Sequence, residues 1–324
     1  MTKILTNKIF QRAVVFAIGL ALLFIGLTRL LVPKTNSTEL ALGTKFANGI
    51  LGEPENTIDV VMLGNSRIYT AICPMDLWDK HGITSYICGT PGQAVSDSVL
   101  FLEKACKIQK PKLVILGADN IFDGMGISTY YFSKLKDKVR IFQYHNRWKS
   151  LGWEDFYKKP TNDWTDTNKG FNYSTFVSAA PEKPNFMKDK GAPPKEISYV
   201  SLRCLKDIQA ICASVGAKLL IVSTPNWTSW SVAKNRAMEI MCRDFKIDFV
   251  DMNLGQYDAK INWQTDTKDK GDHLNYAGAT KVTDIIAEYL HKNYELPDHR
   301  KDSKFDAWHK AYESHLVMTN KKPR

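Results

Sequence analysis

The sequence predicts an α/β fold built on a parallel sheet with helices on both of its faces. Short, continuous runs of β-branched and aliphatic residues, typical of strands that are buried on both faces, alternate with segments of helical spacing. Repetition of this strand-then-helix order implies parallel strands joined by helical crossovers. The predicted strands are residues 58–63, 83–87, 112–116, 218–222 and 248–251, and the predicted helices are residues 96–107, 198–215, 231–245 and 276–294.

The N-terminus predicts a helix that crosses a membrane. Three basic residues, Lys3, Lys8 and Arg12, precede an apolar run over residues 13–32, which matches the roughly 20 residues that a spanning helix requires. The positive flank favours a cytoplasmic N-terminus and a domain on the outer side of the cell membrane. Residues 1–34 are therefore interpreted as a cytoplasmic tip and a retained signal anchor. The alternative, a cleaved signal peptide, requires a shorter apolar region and a small-residue cleavage site, and the chain matches neither well.

The remaining chain divides by composition. Residues 35–56 are polar and are interpreted as a linker to an α/β domain over residues 57–295. Within that domain, about residues 122–195 are rich in Tyr, Trp and Phe and poor in aliphatic runs, which predicts an insertion. Long insertions are usually functional, so this one is either a lid or rim for a site or a structural flap over apolar surface. Residues 296–324 are interpreted as a basic polar tail.

The net charge and the cysteine positions limit the binding partners and metal sites that are expected. The chain of 324 residues has 44 Lys and Arg against 34 Asp and Glu, a formal net charge of +10. Outside a cell, this charge suits phospholipid headgroups or polyanionic wall polymers, or else a solvated basic surface. Nucleic acid is not an expected partner, because the sequence has no recognition motif for it. The six cysteines form no CxxC or Cys/His cluster, so no metal site is expected and buried thiols are predicted.

Two distant segments carry the parts of a nucleophilic hydroxyl site. The first predicted strand runs into Gly64-Asn65-Ser66, which places a serine just past the carboxyl edge of the sheet, where backbone N–H groups are directed at it. His273 stands among carboxylates just before the last predicted helix. A histidine can take the serine proton, and a carboxylate can orient its ring. Asp269 is the preferred carboxylate, because a directly adjacent residue seldom reaches its neighbour's ring; the other candidates are Asp272 and the more distant Asp266.

Each segment alone has a simpler explanation. Many serines cap helices, and a histidine among carboxylates is often a surface cluster. Ile68 occupies the place of the last glycine in the G-x-S-x-G elbow, which disfavours the α/β-hydrolase arrangement. The catalytic hypothesis therefore depends on Ser66 and His273 meeting at one edge of the sheet.

The two segments together resemble those of the SGNH hydrolases, also called GDSL-like esterases. The resemblance rests on Gly64-Asn65-Ser66 after a hydrophobic strand and on the acidic residues before His273-Leu274-Asn275, and it covers roughly residues 57–120 and 196–292. It implies a three-layer, flavodoxin-like fold and a triad of Ser66, His273 and an aspartate, with no metal or cofactor. The chain departs from the family's D-x-x-H pattern, because Lys270 stands three places before His273. Asp269 and Asp272 both remain candidates for the acid.

The same resemblance implies donors for an oxyanion. They are the amide of Ser66 and the amide of Gly89, the glycine after the second strand. The family's G-x-N-D motif reads here as Gly117-Ala118-Asp119-Asn120, so Asn120 is displaced by one place. Gln93 or a backbone amide is the alternative donor, and Arg67 is a further candidate for substrate binding.

The anchor, the Ser66-Arg67-Ile68-Tyr69 context and the altered third motif resemble a membrane-tethered subgroup of that family. This subgroup includes the teichoic-acid D-alanyl transfer protein and the alginate O-acetylation proteins. The resemblance implies a serine esterase or O-acyltransferase outside the cytoplasm, acting on an acylated wall polymer or exopolysaccharide. A membrane-bound O-acyltransferase is the expected partner. The alternatives are a weak or inactive polymer-binding accessory subunit with the same fold and, from the N-terminal ambiguity, a soluble secreted lipase.

Overall fold

Five parallel strands form the centre of the protein. The structure is a computed structural model that describes residues 8–122, 126–182, 187 and 191–321. The strands are β1 (Val60–Gly64), β2 (Ser85–Gly89), β3 (Leu113–Gly117), β4 (Lys218–Ser223) and β5 (Asp248–Asp251). Their order is β2-β1-β3-β4-β5 and every neighbouring pair is parallel. This is the flavodoxin-like order. From β1 the chain adds β2 on one side and then β3, β4 and β5 on the other, so the order of addition reverses between β1 and β3. The predicted α/β fold is confirmed.

The helices follow the strands in the predicted alternation. The described helices are α1 (Lys8–Leu31), α2 (Thr44–Asn48), α3 (Ser66–Tyr69), α4 (Pro74–His81), α5 (Val95–Ala105), α6 (Ile127–Lys138), α7 (Arg140–Tyr144), α8 (Glu154–Tyr157), α9 (Tyr199–Val215), α10 (Val232–Phe245), α11 (Tyr276–Asn293) and α12 (Asp306–Thr319). Helix α5 packs against α9, and α4 packs against α11 and α12. Because β1, β2 and β3 are buried at every residue, both faces of the sheet are covered.

Local capping explains where the long helices begin and end. Ser198 accepts a hydrogen bond from Ser201 N at 3.1 Å at the start of α9, and Ser231 accepts from Lys234 N at 3.3 Å at the start of α10. Each bond satisfies an amide that has no partner within the helix. Helix α9 ends at Gly216, whose φ of 76° lies in the left-handed region that glycine adopts easily. These caps fix the crossovers that bring the strands back in parallel.

Helix α1 stands apart from the buried core. It has 24 residues and a mean hydropathy of 2.4 over its most apolar window, and nearly all of its side chains are exposed. Among the described residues it is the one helix long and apolar enough to cross a membrane. Its length of about 36 Å, at 1.5 Å per residue, exceeds the thickness of a bilayer's hydrocarbon core.

The predicted linker packs on the domain. The Asn36 side chain donates to Trp164 O at 2.6 Å and accepts from Trp164 N at 3.1 Å. Tyr86, on β2, donates its hydroxyl proton to Phe46 O at 2.9 Å. Ala47 and Ile50 are fully buried against the sheet. The short apolar pattern within residues 44–52 gives this segment a buried face, so it is not a free tether.

The C-terminal segment is also part of the folded domain rather than a separate polar tail. In α12, Trp308, Ala311 and His315 are buried, and their spacing places them on one face. Trp308 packs against Trp78 with ring centroids 5.5 Å apart. His315 Nε2 lies 3.1 Å from the Tyr276 hydroxyl at the start of α11. Lys301, Lys304 and Lys310 of this segment are exposed, which is why composition alone suggested a tail.

The cysteines are mostly buried. Five of the six are buried, and within the described parts of the chain no disulfide bond joins any two of them. Burial raises the pKa of the Cys106 thiol to about 11 and that of Cys242 to about 12. These side chains therefore pack as small apolar groups.

Candidate active site

The serine lies where β1 gives way to α3. Gly64 ends the strand, and Asn65 caps the short helix by accepting from Arg67 N at 3.1 Å. A Cβ at position 64 would lie 2.5 Å from Ile68 Cγ1, so only glycine permits this tight turn. Ser66 thus begins a helix at the carboxyl edge of the sheet, next to the point where the strand order reverses. Ligands of open α/β sheets bind at such a crevice.

The histidine comes from residues 267–275, which we call the histidine loop. The loop is closed by a bridge between Thr267 and Leu274, and Gly271 N donates to Thr267 Oγ1 at 3.1 Å. Asn275 fixes the exit of the loop, because its side chain donates to Thr265 O at 2.7 Å and accepts from Gly278 N at the start of α11. The loop is therefore braced at both ends before α11 begins.

Ser66 and His273 meet. The distance between Ser66 Oγ and His273 Nε2 is 2.6 Å, although the two residues are 207 positions apart in the chain. Both side chains are partly buried. The spatial relationship on which the catalytic hypothesis depends is therefore present in the structure.

Asp269 holds the other side of the imidazole. Its carboxylate contacts His273 Nδ1 and also accepts from His273 N at 2.7 Å. A carboxylate only accepts, so Nδ1 carries the ring proton and Nε2 offers a lone pair to the Ser66 hydroxyl. Lys270 and Gly271 have φ values of 64° and 93°. These two left-handed residues curl the chain so that an acid four places before the histidine reaches it.

Asp272, the other candidate for the triad acid, makes its closest contacts with residues other than His273. It accepts from Arg67 Nη2 at 2.9 Å, from Thr228 Oγ1 at 2.7 Å and from Asn226 Nδ2 at 3.2 Å. Burial would raise its pKa, but hydrogen bonds from Thr228, Arg67 and Asn226 outweigh burial and lower the pKa to about 2. Its Oδ2 lies 3.5 Å from His273 Nδ1. Asp272 is thus committed to Arg67 and stays ionised beside the site.

Asp266, the more distant candidate for the acid, is also bound to residues other than His273. Its carboxylate pairs with Lys281 Nζ at 2.6 Å and accepts from Asn262 N at 2.8 Å. Burial alone would raise its pKa, but the Lys281 ammonium and the other hydrogen bonds lower it. This residue stabilises the start of the histidine loop and does not contact the imidazole.

Asn120 and Gln93 support the backbone next to the serine turn through buried hydrogen bonds. Asn120 is fully buried, accepts from Asn65 N at 3.1 Å and donates to Gln93 O at 2.6 Å. Gln93 donates its two amide protons to Ser98 Oγ at 3.0 Å and to Cys88 O at 3.2 Å. The predicted donor role of Gln93 therefore differs from the structure, in which both amide protons are used within the fold, by Cys88 on β2 and Ser98 on α5. Asn120 likewise supports the backbone just before Ser66.

Gly89 and Tyr69 lie on the other side of the serine. Gly89 pairs with Gly64 across β1 and β2, and a Cβ there would lie 3.0 Å from Gly64 O and 3.1 Å from Tyr69 Cδ1. A side chain at position 89 would therefore press on Gly64 O and on the Tyr69 ring, next to the serine turn. Burial raises the pKa of Tyr69, and its hydroxyl interacts with the Ser66 side chain, which offsets part of that rise. A three-residue spacing on α3 could have identified Tyr69 as a site residue, since i and i+3 share a helix face.

Part of the aromatic insertion joins the two halves of the site. Asn172 N donates to Tyr69 O at 2.8 Å, and Ser178 N donates to Thr267 O at 2.9 Å. Residues 172–178 therefore run from the serine helix to the histidine loop. Alongside the loop, Trp227 and Trp263 pack with ring centroids 5.2 Å apart. Sequence reasoning did not single out this tryptophan pair, because the two residues lie outside the insertion and far apart in the chain.

Comparison with known proteins gives structural neighbours only. No protein family model matches the chain, and no curated protein matches it. Among solved structures it is similar to a GDSL-like lipase from Bacteroides thetaiotaomicron VPI-5482, with 14% identity, a TM-score of 0.40, and coverage of 78% of this chain and 99% of that one.

Two further neighbours have comparable values. A lipase/acylhydrolase from Enterococcus faecalis is 11% identical, with a TM-score of 0.37 and coverage of 74% of this chain and 98% of that one. A family 3 carbohydrate esterase from Clostridium thermocellum is 11% identical, with a TM-score of 0.38 and coverage of 72% and 96%. At such values, these neighbours say nothing about the chemistry of this protein.

Proposed function

We propose that this protein is a serine-dependent esterase or O-acyltransferase of the SGNH type that works through an acyl-serine intermediate. The observation that carries the proposal is the chain of contacts from Ser66 Oγ through the His273 ring to Asp269. A hydroxyl becomes an effective nucleophile when a base receives its proton and a third group orients that base. The three side chains supply those three functions.

The first half of the reaction transfers the acyl group to the enzyme. His273 Nε2 takes the Ser66 proton while Oγ attacks the carbonyl carbon of an ester or thioester. The Asp269 carboxylate stabilises the imidazolium that results. Collapse of the tetrahedral intermediate breaks the bond to the leaving group, which receives the proton from His273. The amides of Ser66 and Gly89 are the proposed donors to the oxyanion.

The second half releases the acyl group. His273 takes a proton from the acceptor, whose oxygen attacks the acyl-serine, and the proton then returns to Ser66. Water as acceptor gives a carboxylic acid, whereas a sugar or polyol hydroxyl gives a new ester. The proposal needs no metal or cofactor for either step.

The proposed setting is the outer face of the cell membrane, and the proposed substrate is an acylated wall polymer or exopolysaccharide. Helix α1 supports an anchored protein, because it is long and apolar enough to span. The net charge of +10 supports an anionic neighbour. The Trp227 and Trp263 rings beside the histidine loop support contact with a sugar face. A membrane-bound O-acyltransferase is the proposed partner, on the resemblance of the sequence to membrane-tethered SGNH proteins.

A second candidate function has its own support. Asn120 and Gln93 use their amides within the fold, and Lys270 replaces the acid expected three places before His273. A weak or inactive polymer-binding accessory subunit would tolerate both departures. This candidate predicts that Ser66 is not activated.

Turnover of an acyl ester separates the two candidates. The parent protein should hydrolyse the ester, and Ser66→Ala and His273→Ala should each lose about three or more orders of magnitude in kcat, because the pair acts as a unit. A serine-directed fluorophosphonate should label the parent and not Ser66→Ala. Equal turnover in parent and variants, or no labelling of Ser66, would assign the accessory role instead.

A further inference from the structure

A group of exposed aromatic side chains lies beside the end of α1. Helix α7, the turn His145–Ser150 and α8 all contact α1, and we call residues 142–157 the aromatic platform. Trp148 is 65% exposed and Trp153 is 86% exposed. The other large exposed side chains of the platform are Phe142, Phe156 and Tyr157. Apolar surface of this extent on a folded protein marks an interaction site.

The platform is fixed to the last turn of α1. Arg147 donates to Leu31 O at 2.9 Å and to Asp155 Oδ1 at 2.7 Å. Asp155 also accepts from Gly152 N at 2.9 Å, and the Arg147 and Asp155 side chains are nearly buried. Leu31 is the last residue of the apolar helix. The platform is therefore held at the level where the apolar run ends.

The chemistry of the platform fits the boundary between lipid tails and water. Trp and Tyr are enriched there because their rings are apolar and their N–H or O–H groups remain hydrated. Lys149, Lys158 and Lys159 are exposed around the aromatic side chains. Cations at that depth meet the phosphates of anionic lipids. A protein surface as partner would not explain why the aromatic residues lie level with the end of the apolar helix.

We propose that the aromatic platform lies in the headgroup region of the bilayer that α1 crosses, as a second contact between this protein and the membrane. The proposal goes beyond the acyl chemistry and rests on α1 spanning that bilayer. Two contacts fix the orientation of a domain, whereas one helix leaves it free to rotate.

The segment after α1 transmits this orientation to the site. Thr161 N donates to Lys34 O at 3.0 Å, and the Asn36 side chain is held by Trp164. A Cβ at Gly43 would lie 2.8 Å from Pro91 Cδ, in the loop after β2. Gly89, which borders the serine turn, is the last residue of β2 before that loop. The chain therefore passes from the membrane to the carboxyl edge of the sheet through packed residues, which holds the site at a fixed distance from the bilayer.

Lipid quenching of tryptophan fluorescence tests the platform. The full chain is reconstituted into vesicles of phosphatidylcholine and phosphatidylglycerol whose acyl chains are brominated near the glycerol or near the bilayer centre. Helix α1 contains no tryptophan, so quenching reports on the rest of the protein. We expect quenching by the shallow bromines, and the double variant Trp148→Phe, Trp153→Phe should lose more than about half of it, because these rings lie at the interface. The control Trp308→Phe, which changes a buried ring, should keep it.

Insertion of α1 is read separately by retention of the protein in membranes after an alkaline carbonate wash. A retained protein whose shallow quenching is the same in the parent and the double variant would overturn the platform while leaving the anchor intact. Absence of lipid quenching, together with dimers in detergent that the double variant loses, would assign the surface to a second copy of the chain and also overturn the proposal. Loss of the protein in the wash would remove the span on which the proposal rests.

Discussion

Arg67 Nη2 lies 2.9 Å from Asp272 Oδ1, so the residue after the proposed nucleophile is paired with the residue before the proposed base. The two side chains are only partly exposed, and Thr224 Oγ1 also donates to Arg67 O at 3.2 Å. The pair links two segments that are distant in the chain. Its position suggests that it sets the approach of Ser66 to His273 without entering the reaction.

Breaking this pair should slow turnover moderately. Asp272→Asn keeps the size of the side chain and removes its charge. We expect kcat to fall about five- to tenfold, because a partly exposed ion pair contributes on the order of 1 kcal/mol. A double-mutant cycle with Arg67→Gln checks the cause, since the two losses should not add if they report one interaction. Fully additive losses would show that Arg67 and Asp272 act independently rather than as a pair.

Asp269 should matter far more than Asp272. Asp269→Asn replaces the acceptor of the His273 Nδ1 proton with a group that can also donate, which favours the wrong tautomer. We expect a loss of about a thousandfold or more in kcat with little change in KM, as for other triad acids. Asp272→Asn is the matched control, because it makes the same chemical change 3.5 Å or more from the ring. Comparable losses in the two variants would contradict the assignment of the acid.

The acid sensitivity of the fold should include a contribution from Asp272. Its pKa is lowered to about 2 in the folded protein, below its ordinary value of 3.8. Its ionised form therefore stabilises the fold above the ordinary pKa, and that stabilisation disappears as the pH falls through the folded-state value. The stability difference between the parent and Asp272→Asn should be constant from about pH 7 to 5 and shrink between roughly pH 4 and 2. Urea unfolding midpoints at each pH measure it, and a difference that grows on acidification would contradict the sign.

The two hydrogen bonds that Asn120 makes next to the serine turn give a prediction about stability. Asn120→Ala leaves the buried amide of Asn65 and the carbonyl of Gln93 without their partner. Each unsatisfied buried group costs about 1–3 kcal/mol, so the thermal midpoint should fall. Turnover measured well below that midpoint should fall in proportion to the fraction of molecules in which Ser66 is misplaced. Fluorophosphonate labelling of Ser66 should fall by the same fraction. A variant with unchanged thermal stability but lower kcat would instead make Asn120 an oxyanion donor, as the resemblance suggested.

Structure that near neighbours in the chain determine was predictable from the sequence, whereas structure that tertiary contacts determine was not. The strands and long helices were predictable because aliphatic runs such as residues 113–116 and caps such as Ser198 act through near neighbours. The sequence favoured Asp269 as the acid but left Asp272 open, because the choice depends on the left-handed backbone at Lys270 and Gly271. The bracing role of Asn120 depends on contacts with residues 55 and 27 positions away, which no local pattern encodes.

The final prediction concerns the C-terminal segment, which has a buried apolar face although its composition is strongly charged. Trp308 is 2% exposed and packs on Trp78, and the Lys169 ammonium lies 4.8 Å from the centre of its ring. Truncating a buried Trp to Ala costs about 3–5 kcal/mol, which for a domain of this size corresponds to a thermal midpoint roughly 10 °C lower.

The matched control is Val317→Ala on the same helix, where the side chain is 84% exposed and the midpoint should not change. Melting of the detergent-solubilised full chain measures both variants. Because α12 contacts α4 and Tyr276, which begins the helix after the histidine loop, Trp308→Ala should also accelerate proteolysis of that loop. Equal melting of parent and Trp308→Ala would mean that the segment after residue 295 is dispensable, as a solvated tail would be.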